Sequence, residues 1–298
     1  MGTERKKNGI PEKYKGIFYI ILSAFSFALM NLFVRLSGDL PSVQKSFFRN
    51  LVAFAFAFFI LRRDHVHFSG KKGNLRDLIL RSVFGTLGIL CNFYAVDHLL
   101  LSDASMLNKM SPFFAILFSL ILLKEKVKPA QLMIVGAAFL GSLFIIKPTG
   151  AVLESANALI GLLGGMCAGI AYTYVRALGT KGEKGPFVIC FFSAFSCLSV
   201  LPYLLFHYQP MTGDQLAMLL LAGLAAAGGQ FGITAAYFHA PAREISVYDY
   251  SQIIFSALLG FLVFGQVPDK YSILGYAIIC LMAVLMFLYN NRGDKQKA

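Results

Sequence analysis

The sequence predicts an all-α integral membrane protein with ten transmembrane helices built as two inverted five-helix repeats. Three observations carry this expectation: long stretches without charge, a one-sided distribution of lysine and arginine, and self-similarity at a single offset. Of the 298 residues, 57% are hydrophobic and 14% are charged, about half the charge of a soluble domain. That excludes a disordered or nucleic-acid-coating chain. The formal charge of +12 must then be explained by where the basic residues sit.

Six runs contain no Asp, Glu, Lys or Arg: residues 16–34, 129–146, 155–175, 215–242, 250–268 and 271–291. Each approaches or exceeds the ~18 residues that a spanning helix needs, and they supply helices 1, 5, 6, 8, 9 and 10. Four further runs with at most one interior charge supply the rest: helix 2 at 42–61 around Arg49, helix 3 at 75–96 with Arg81, helix 4 at 103–123 around Lys109, and helix 7 at 186–206. Ten spans of ~20 residues leave no room for a separate soluble domain. Helix 1 follows a basic segment (Arg5, Lys6, Lys7, Lys13, Lys15). It is longer than the ~7–15 residue core of a signal peptide and is expected to stay in the protein. Cys91, Cys167, Cys190, Cys197 and Cys280 lie in apolar spans without CxxC spacing, so they are expected to be reduced packing residues with no zinc site.

Orientation follows from the basic residues. With the N-terminus inside, the inner segments hold twenty Lys and Arg, and the outer segments only Lys45, Lys147 and Lys270. Cytoplasmic cationic residues set topology, so both termini are expected in the cytoplasm, with the chain in the cell (inner or plasma) membrane. Arg35, Arg49, Arg81 and Lys109 remain within the spans.

An offset of 141 residues superposes Arg35 on Arg176, Gly38 on Gly179, Gly88 on Gly229, Ala95 on Ala236, His98 on His239, Ser105 on Ser246 and Phe114 on Phe255. The matches fall at corresponding helix ends. Residues 1–150 then form one five-helix repeat and 151–298 the second. Because five is odd, the two are inverted in the membrane, an architecture of secondary transporters with the substrate near the midplane.

This pattern, with Lys124-Glu125-Lys126 closing helix 4, Gly141 in helix 5 and Lys147-Pro148 ending the first half, resembles the EamA-type transporters of the drug/metabolite transporter superfamily over residues 15–290. The second half departs from the family pattern at Gln266 and Met282. The resemblance implies proton-coupled or facilitated movement of a small metabolite, often outward. The expected partners are a small-molecule substrate, the lipid bilayer and, where transport is coupled, protons, with a monomer or homodimer; the location of the basic residues argues against nucleic acid, and no cofactor is expected.

Charges inside the hydrocarbon are costly and mark functional positions. Arg35 and Arg81 are expected to snorkel to the interfaces as structural residues. Arg49 and Lys109 each lie about seven residues, ~10 Å, inside the outer end of a helix and could receive a carboxylate or phosphate; alternatively, helix carbonyls or Asp97 or Asp103 hold them. Lys109 sits in Asn108-Lys109-Met110-Ser111-Pro112, where Pro112 cannot donate and helix 4 should kink. At the 141-residue offset, Asn108 and Lys109 fall on Asp249 and Tyr250. From helical depths, Lys109 and Asp249 should be ~13 Å apart along the normal of a ~30 Å core, too far for a salt bridge. Lys109 is thus expected to take an anionic group, and Asp249 a substrate amine or coupling proton, or else Asp249 pairs with Arg243 at the inner rim. Asn31, Asn92, Tyr94, Gln230, Tyr237, Tyr250 and Gln252 complete the expected substrate lining. Tyr172 and Tyr174 are weaker candidates because they read as interfacial anchors, and His98 and His239 read as interfacial too. The small-residue faces Gly161/Gly165/Gly169 and Ala225 to Gly232 allow close packing or sliding.

The expected function is a secondary transporter, an exporter or exchanger, moving a small polar metabolite, anionic or zwitterionic such as an amino acid, by alternating access. A lipophilic drug exporter and a non-transporting accessory membrane protein are the alternatives. An enzyme is not expected, because HExxH, GxSxG and P-loop motifs do not occur.

Overall fold

In the computed structural model, apolar sequence all around most helices produces long helices lying side by side. The structure describes residues 11–64, 73–98, 107–146, 156–265 and 270–295. The main helices are α1 (Glu12–Leu36), α2 (Ser42–Arg63), α3 (Leu75–His98), α4 (Ser111–Leu122) and α5 (Pro129–Ile146). They continue as α6 (Ala156–Thr180), α7 (Gly185–His207), α8 (Gly213–His239), α9 (Ser251–Phe264) and α10 (Lys270–Lys295). Among the described residues eight helical segments are long and apolar enough to cross a membrane, with Ser111–Leu122 and the α5 region as shorter apolar helices. Local signals set several ends. Thr212 and Gln215 cap α8 reciprocally, satisfying two donors left over at a helix start. Gly265, with φ of 63°, closes α9, a conformation that costs glycine little.

Two elements differ from the sequence expectation, and both differences matter. Helix 4 is interrupted rather than kinked: Leu107 and Asn108 are helical, Lys109 and Met110 form a turn, and α4 starts at Ser111 with Pro112 in its first turn. Proline is favoured there because the first N–H groups of a helix have no partner to lose. Helix 9 is also broken. A helical turn, Ala242–Ile245, passes into a 3-10 helix, Ser246–Tyr250, and then α9. The two breaks sit at equivalent places under the 141-residue offset.

The most extensive pairings are α1 with α8 and α3 with α6, followed by α5 with α10 and α2 with α7. Exchanging each helix for the one five places away maps α1·α8 onto α6·α3 and leaves α2·α7 and α5·α10 unchanged. It also maps α2·α8 onto α7·α3 and α4·α6 onto α9·α1, all of which are in contact. The crossings depend on small residues. A Cβ on Gly164 would lie 3.1 Å from the backbone nitrogen of Asn92, and Ser23 Oγ donates to the carbonyl of Gly229 at 2.8 Å. All five cysteines are free thiols.

The α4·α6 crossing supports the first break directly. A Cβ on Gly165 would come within 2.4 Å of the Leu107 carbonyl oxygen, whereas one on Gly136 meets nothing within 4 Å. Gly165→Ala is therefore expected to lower stability by about 1–3 kcal/mol, and Gly136→Ala to leave it unchanged or slightly raised through helix propensity. Melting temperatures in detergent check both.

Candidate transport site at two facing helix breaks

The two interruptions face each other across the bundle. Lys109 Nζ donates to Gln252 Oε1 at 2.6 Å and reaches Asp249 Oδ2 at 3.3 Å and the Asp249 carbonyl at 3.4 Å. Lys109 and Asp249 are 5% and 6% exposed, so this is an interior ion pair. The expected ~13 Å separation is thus corrected. That depth treated helix 9 as a regular α-helix starting near Glu244 and ignored side-chain length. The ordered turn begins at Ala242, and a 3-10 helix climbs ~2.0 Å per residue, which carries Asp249 deeper. The Lys109 side chain spans what remains. Asp249 is not held by Arg243, which instead lies 3.8 Å from Glu125 and 3.6 Å from Glu244.

Two more cations share the interior. Arg49 of α2 is 5% exposed; its Nε points at Met30 Sδ at 3.1 Å, and its guanidinium lies 6.0 Å from the Phe27 ring centroid. Arg81 of α3 is 2% exposed. It donates to Gln230 Oε1 at 3.0 Å, and its guanidinium carbon lies 3.8 Å from the Phe192 ring centroid. The expectation that Arg81 snorkels to an interface is therefore wrong. Arg81 is six residues into α3, ~9 Å deep, and the space over Gly85 lets it turn inward. That depth and the Arg81/Gly85 spacing were the signals that could have found it.

Tyr172 joins the cluster as well, so it is no interfacial anchor. It lies within electrostatic range of Arg49, Arg81 and Asp249 and stacks on Tyr237 with centroids 5.4 Å apart. Tyr237 and Tyr250 are buried, and Gln230 and Gln252 hold Arg81 and Lys109. Asn108 and Asn92 are half-buried beside the first break and at the α3·α6 crossing. Asn31 is exposed although it continues the buried stripe of Ile20, Ala24 and Phe27. Tyr94 is not brought to the site. It stacks on His98 at 3.9 Å and donates to Asn157 at 3.3 Å. Tyr94→Phe should accordingly change transport by no more than about twofold, as for peripheral substitutions, which a rate assay checks.

The bundle face carrying Glu12 is tied by ion pairs between helices. Glu125 meets Arg176 at 3.3 Å, and Arg176 also donates to the carbonyls of Tyr237 and Phe238. Lys181 meets Asp77 at 2.5 Å, Asn74 donates to Glu183 at 2.7 Å, and His239 contacts Glu12. Arg35, the counterpart of Arg176, lies 4.8 Å from the Phe264 ring centroid. Gln266, Asp103 and Lys147-Pro148, like the basic residues Arg5 to Lys7, fall outside the described residues, as does the side chain of Asp97. An apolar cavity of about 360 Å³ between α6, α7 and α8 is lined by Ile189, Phe231 and Phe238 and includes none of the central charged groups.

A polytopic helical bundle with a charged interior and breaks in two facing helices is the build of a membrane transporter. The chain belongs to the EamA-like transporter family, whose model matches residues 14–147 and again 156–288. It is 32% identical over 273 residues to the pseudopaline exporter CntI of Pseudomonas aeruginosa, covering 91% of this chain and 95% of that one. It is 27% identical over 285 residues to a riboflavin transporter of Rhizobium johnstonii (95% and 93% covered). It is 28% identical over 285 residues to human solute carrier family 35 member G1 (90% and 77% covered). A solved structure matches with a TM-score of 0.78 at 16% identity, over 94% of this chain and 98% of that one, which establishes the fold. The protein is thus a multi-pass secondary transporter of a small molecule and not an enzyme.

Proposed function

We propose that this transporter exports or exchanges a small anionic or zwitterionic metabolite by alternating access around the Lys109–Asp249–Gln252 junction. The observation that carries the reading is that this buried ion pair bridges the breaks of two facing helices. Interrupted helices free backbone groups for ligands and let a site be remodelled between two states. Opening the pair gives Lys109 to a substrate carboxylate and Asp249 to a substrate amine or a proton, which makes Asp249 the coupling residue. The moving bodies are residues 1–150 and 151–298, two inverted halves, in keeping with the pairings that survive their exchange. One copy supplies every group of the site, so a monomer suffices. The basic segments, including Arg62, Arg63, Lys124, Lys126 and Lys181, support a topology in the cell membrane with both termini on the cytoplasmic side. Among the described residues of the spans, the deeply buried charges are three cations, Arg49, Arg81 and Lys109, and one carboxylate, Asp249, a balance that disfavours lipophilic cations as cargo.

The reading is tested by comparing metabolites in the medium of cells expressing the wild type or Lys109→Ala at equal membrane levels. A zwitterionic or anionic compound should accumulate outside only with the wild type. Identical profiles would refute export through this site.

A further inference from the structure

Arg49 and Arg81 are charged, almost wholly buried and, among the described residues, without a carboxylate partner. A guanidinium offers five donors in a flat fork that matches carboxylates two bonds at a time. Here that capacity is largely unused. Arg49 has a thioether sulfur, a weak acceptor, and its Nη1 has no hydrogen-bond partner. Arg81 has one neutral amide oxygen, and its Nε is unpartnered. Burying a charge against neutral partners alone is costly, and it is sustained where a ligand of opposite charge completes the site.

The surroundings are shaped for such a ligand. The Arg81 guanidinium carbon lies 3.8 Å from the Phe192 ring centroid, a cation–π contact that leaves Nε without a hydrogen-bond partner. A Cβ on Gly85 would come within 2.2 Å of Arg81 Nη1, so only glycine leaves room for this pose. The two arginines lie in different helices and meet through α8: Arg49 is 6.0 Å from the Phe27 ring, that ring packs on Gly229, and the next residue, Gln230, accepts from Arg81. Arg49 touches Met30, whose chain neighbour Asn31 is exposed. Lys109 is already satisfied by Asp249 and Gln252, so in this state the free cationic capacity lies in the arginine pair.

We propose that Arg49 and Arg81 form a two-guanidinium receptor and that the cargo carries two carboxylates, one for each. This rests on the transport reading above and narrows its substrate class. The unlike partners of the two arginines, a Met sulfur on one and a Gln amide on the other, make the receptor asymmetric, suited to a dicarboxylate with distinct ends.

The test is the thermal unfolding of purified protein with succinate, glutarate or adipate against acetate, butyrate and phosphate at matched ionic strength. At least one dicarboxylate should stabilise the wild type with an affinity about tenfold or more above the monocarboxylates, as expected for an added charge-assisted pair. Arg81→Gln, Arg49→Gln and Arg81→Lys should each remove that advantage. Gly85→Ala should do the same with every charge retained, and it covers the case in which an arginine variant fails to fold. Equal stabilisation by mono- and dicarboxylates, response to phosphate alone, no response to the series, or unchanged binding in Arg81→Gln would overturn the proposal. A monocarboxylate bound through Lys109 and indifferent to Arg81 would sink the receptor and leave the transport reading intact. A dicarboxylate bound through the arginines but never moved would do the reverse.

Discussion

Lys109→Ala is expected to abolish transport and to lower stability by about 3–5 kcal/mol, the cost of stranding one member of a buried ion pair. Asp249 would keep its place on the 3-10 segment, 6% exposed, with its countercharge gone. Gln252 would lose the ammonium that it now accepts from at 2.6 Å. Because most of that cost is an unpaired charge, Lys109→Ala combined with Asp249→Asn should recover the greater part of the stability, while transport stays lost. Denaturation of the two variants in detergent, followed by a transport assay at matched folded protein, separates the effects. If the double variant is no more stable than Lys109→Ala, the pair is not what the single substitution breaks. If Lys109→Ala transports normally, the junction is not the site.

Glu125→Ala should shift the transporter toward a state open at the face that carries Glu12. Glu125 lies where helix 4 ends, and it faces Arg176 from α6 at 3.3 Å and Arg243 from the start of the broken helix at 3.8 Å. These three residues tie the end of helix 4 to α6 and to the turn that leads into α9. Their ends of the helices are partly exposed, with the Arg176 and Glu125 side chains at 17% and 15%, so each contact is modest in energy. A conformational equilibrium nevertheless moves 5- to 150-fold for about 1–3 kcal/mol. Ser246, 0% exposed and three residues beyond Arg243, reports the opening once changed to Cys in a background lacking the native cysteines. Its labelling by a maleimide should accelerate in Glu125→Ala by a factor in that range. Equal labelling with and without Glu125 would show that the cluster does not hold this face closed.

The number of helices, and the presence of Lys109, Asp249, Gln252 and Gln230 within the spans as candidate lining, were legible in the sequence because uncharged runs and polar residues inside them are local signals. What joins them was not. The Lys109–Asp249 contact depends on a 3-10 segment, Ser246–Tyr250, whose composition gives no period different from an α-helix. Arg81 was misplaced for a related reason. Its inward pose needs Gly85 on its own helix and Phe192 from α7, and the second is a tertiary fact. Tyr94 shows the opposite case: its place inside a span predicts lining, but its side chain turns to Asn157. The proline did announce a discontinuity at Pro112, and the structure places the break two residues earlier, since proline is accommodated in the first turn of the helix it follows into.

The central claim is that cargo binds at the junction of the two helix breaks. It is tested most directly by counterflow in proteoliposomes with the compound found in the export comparison. The wild type should exchange labelled for unlabelled compound across the bilayer, and the Lys109→Ala/Asp249→Asn protein, folded and inserted at the same level, should not. Exchange by that double variant at the wild-type rate would contradict the account.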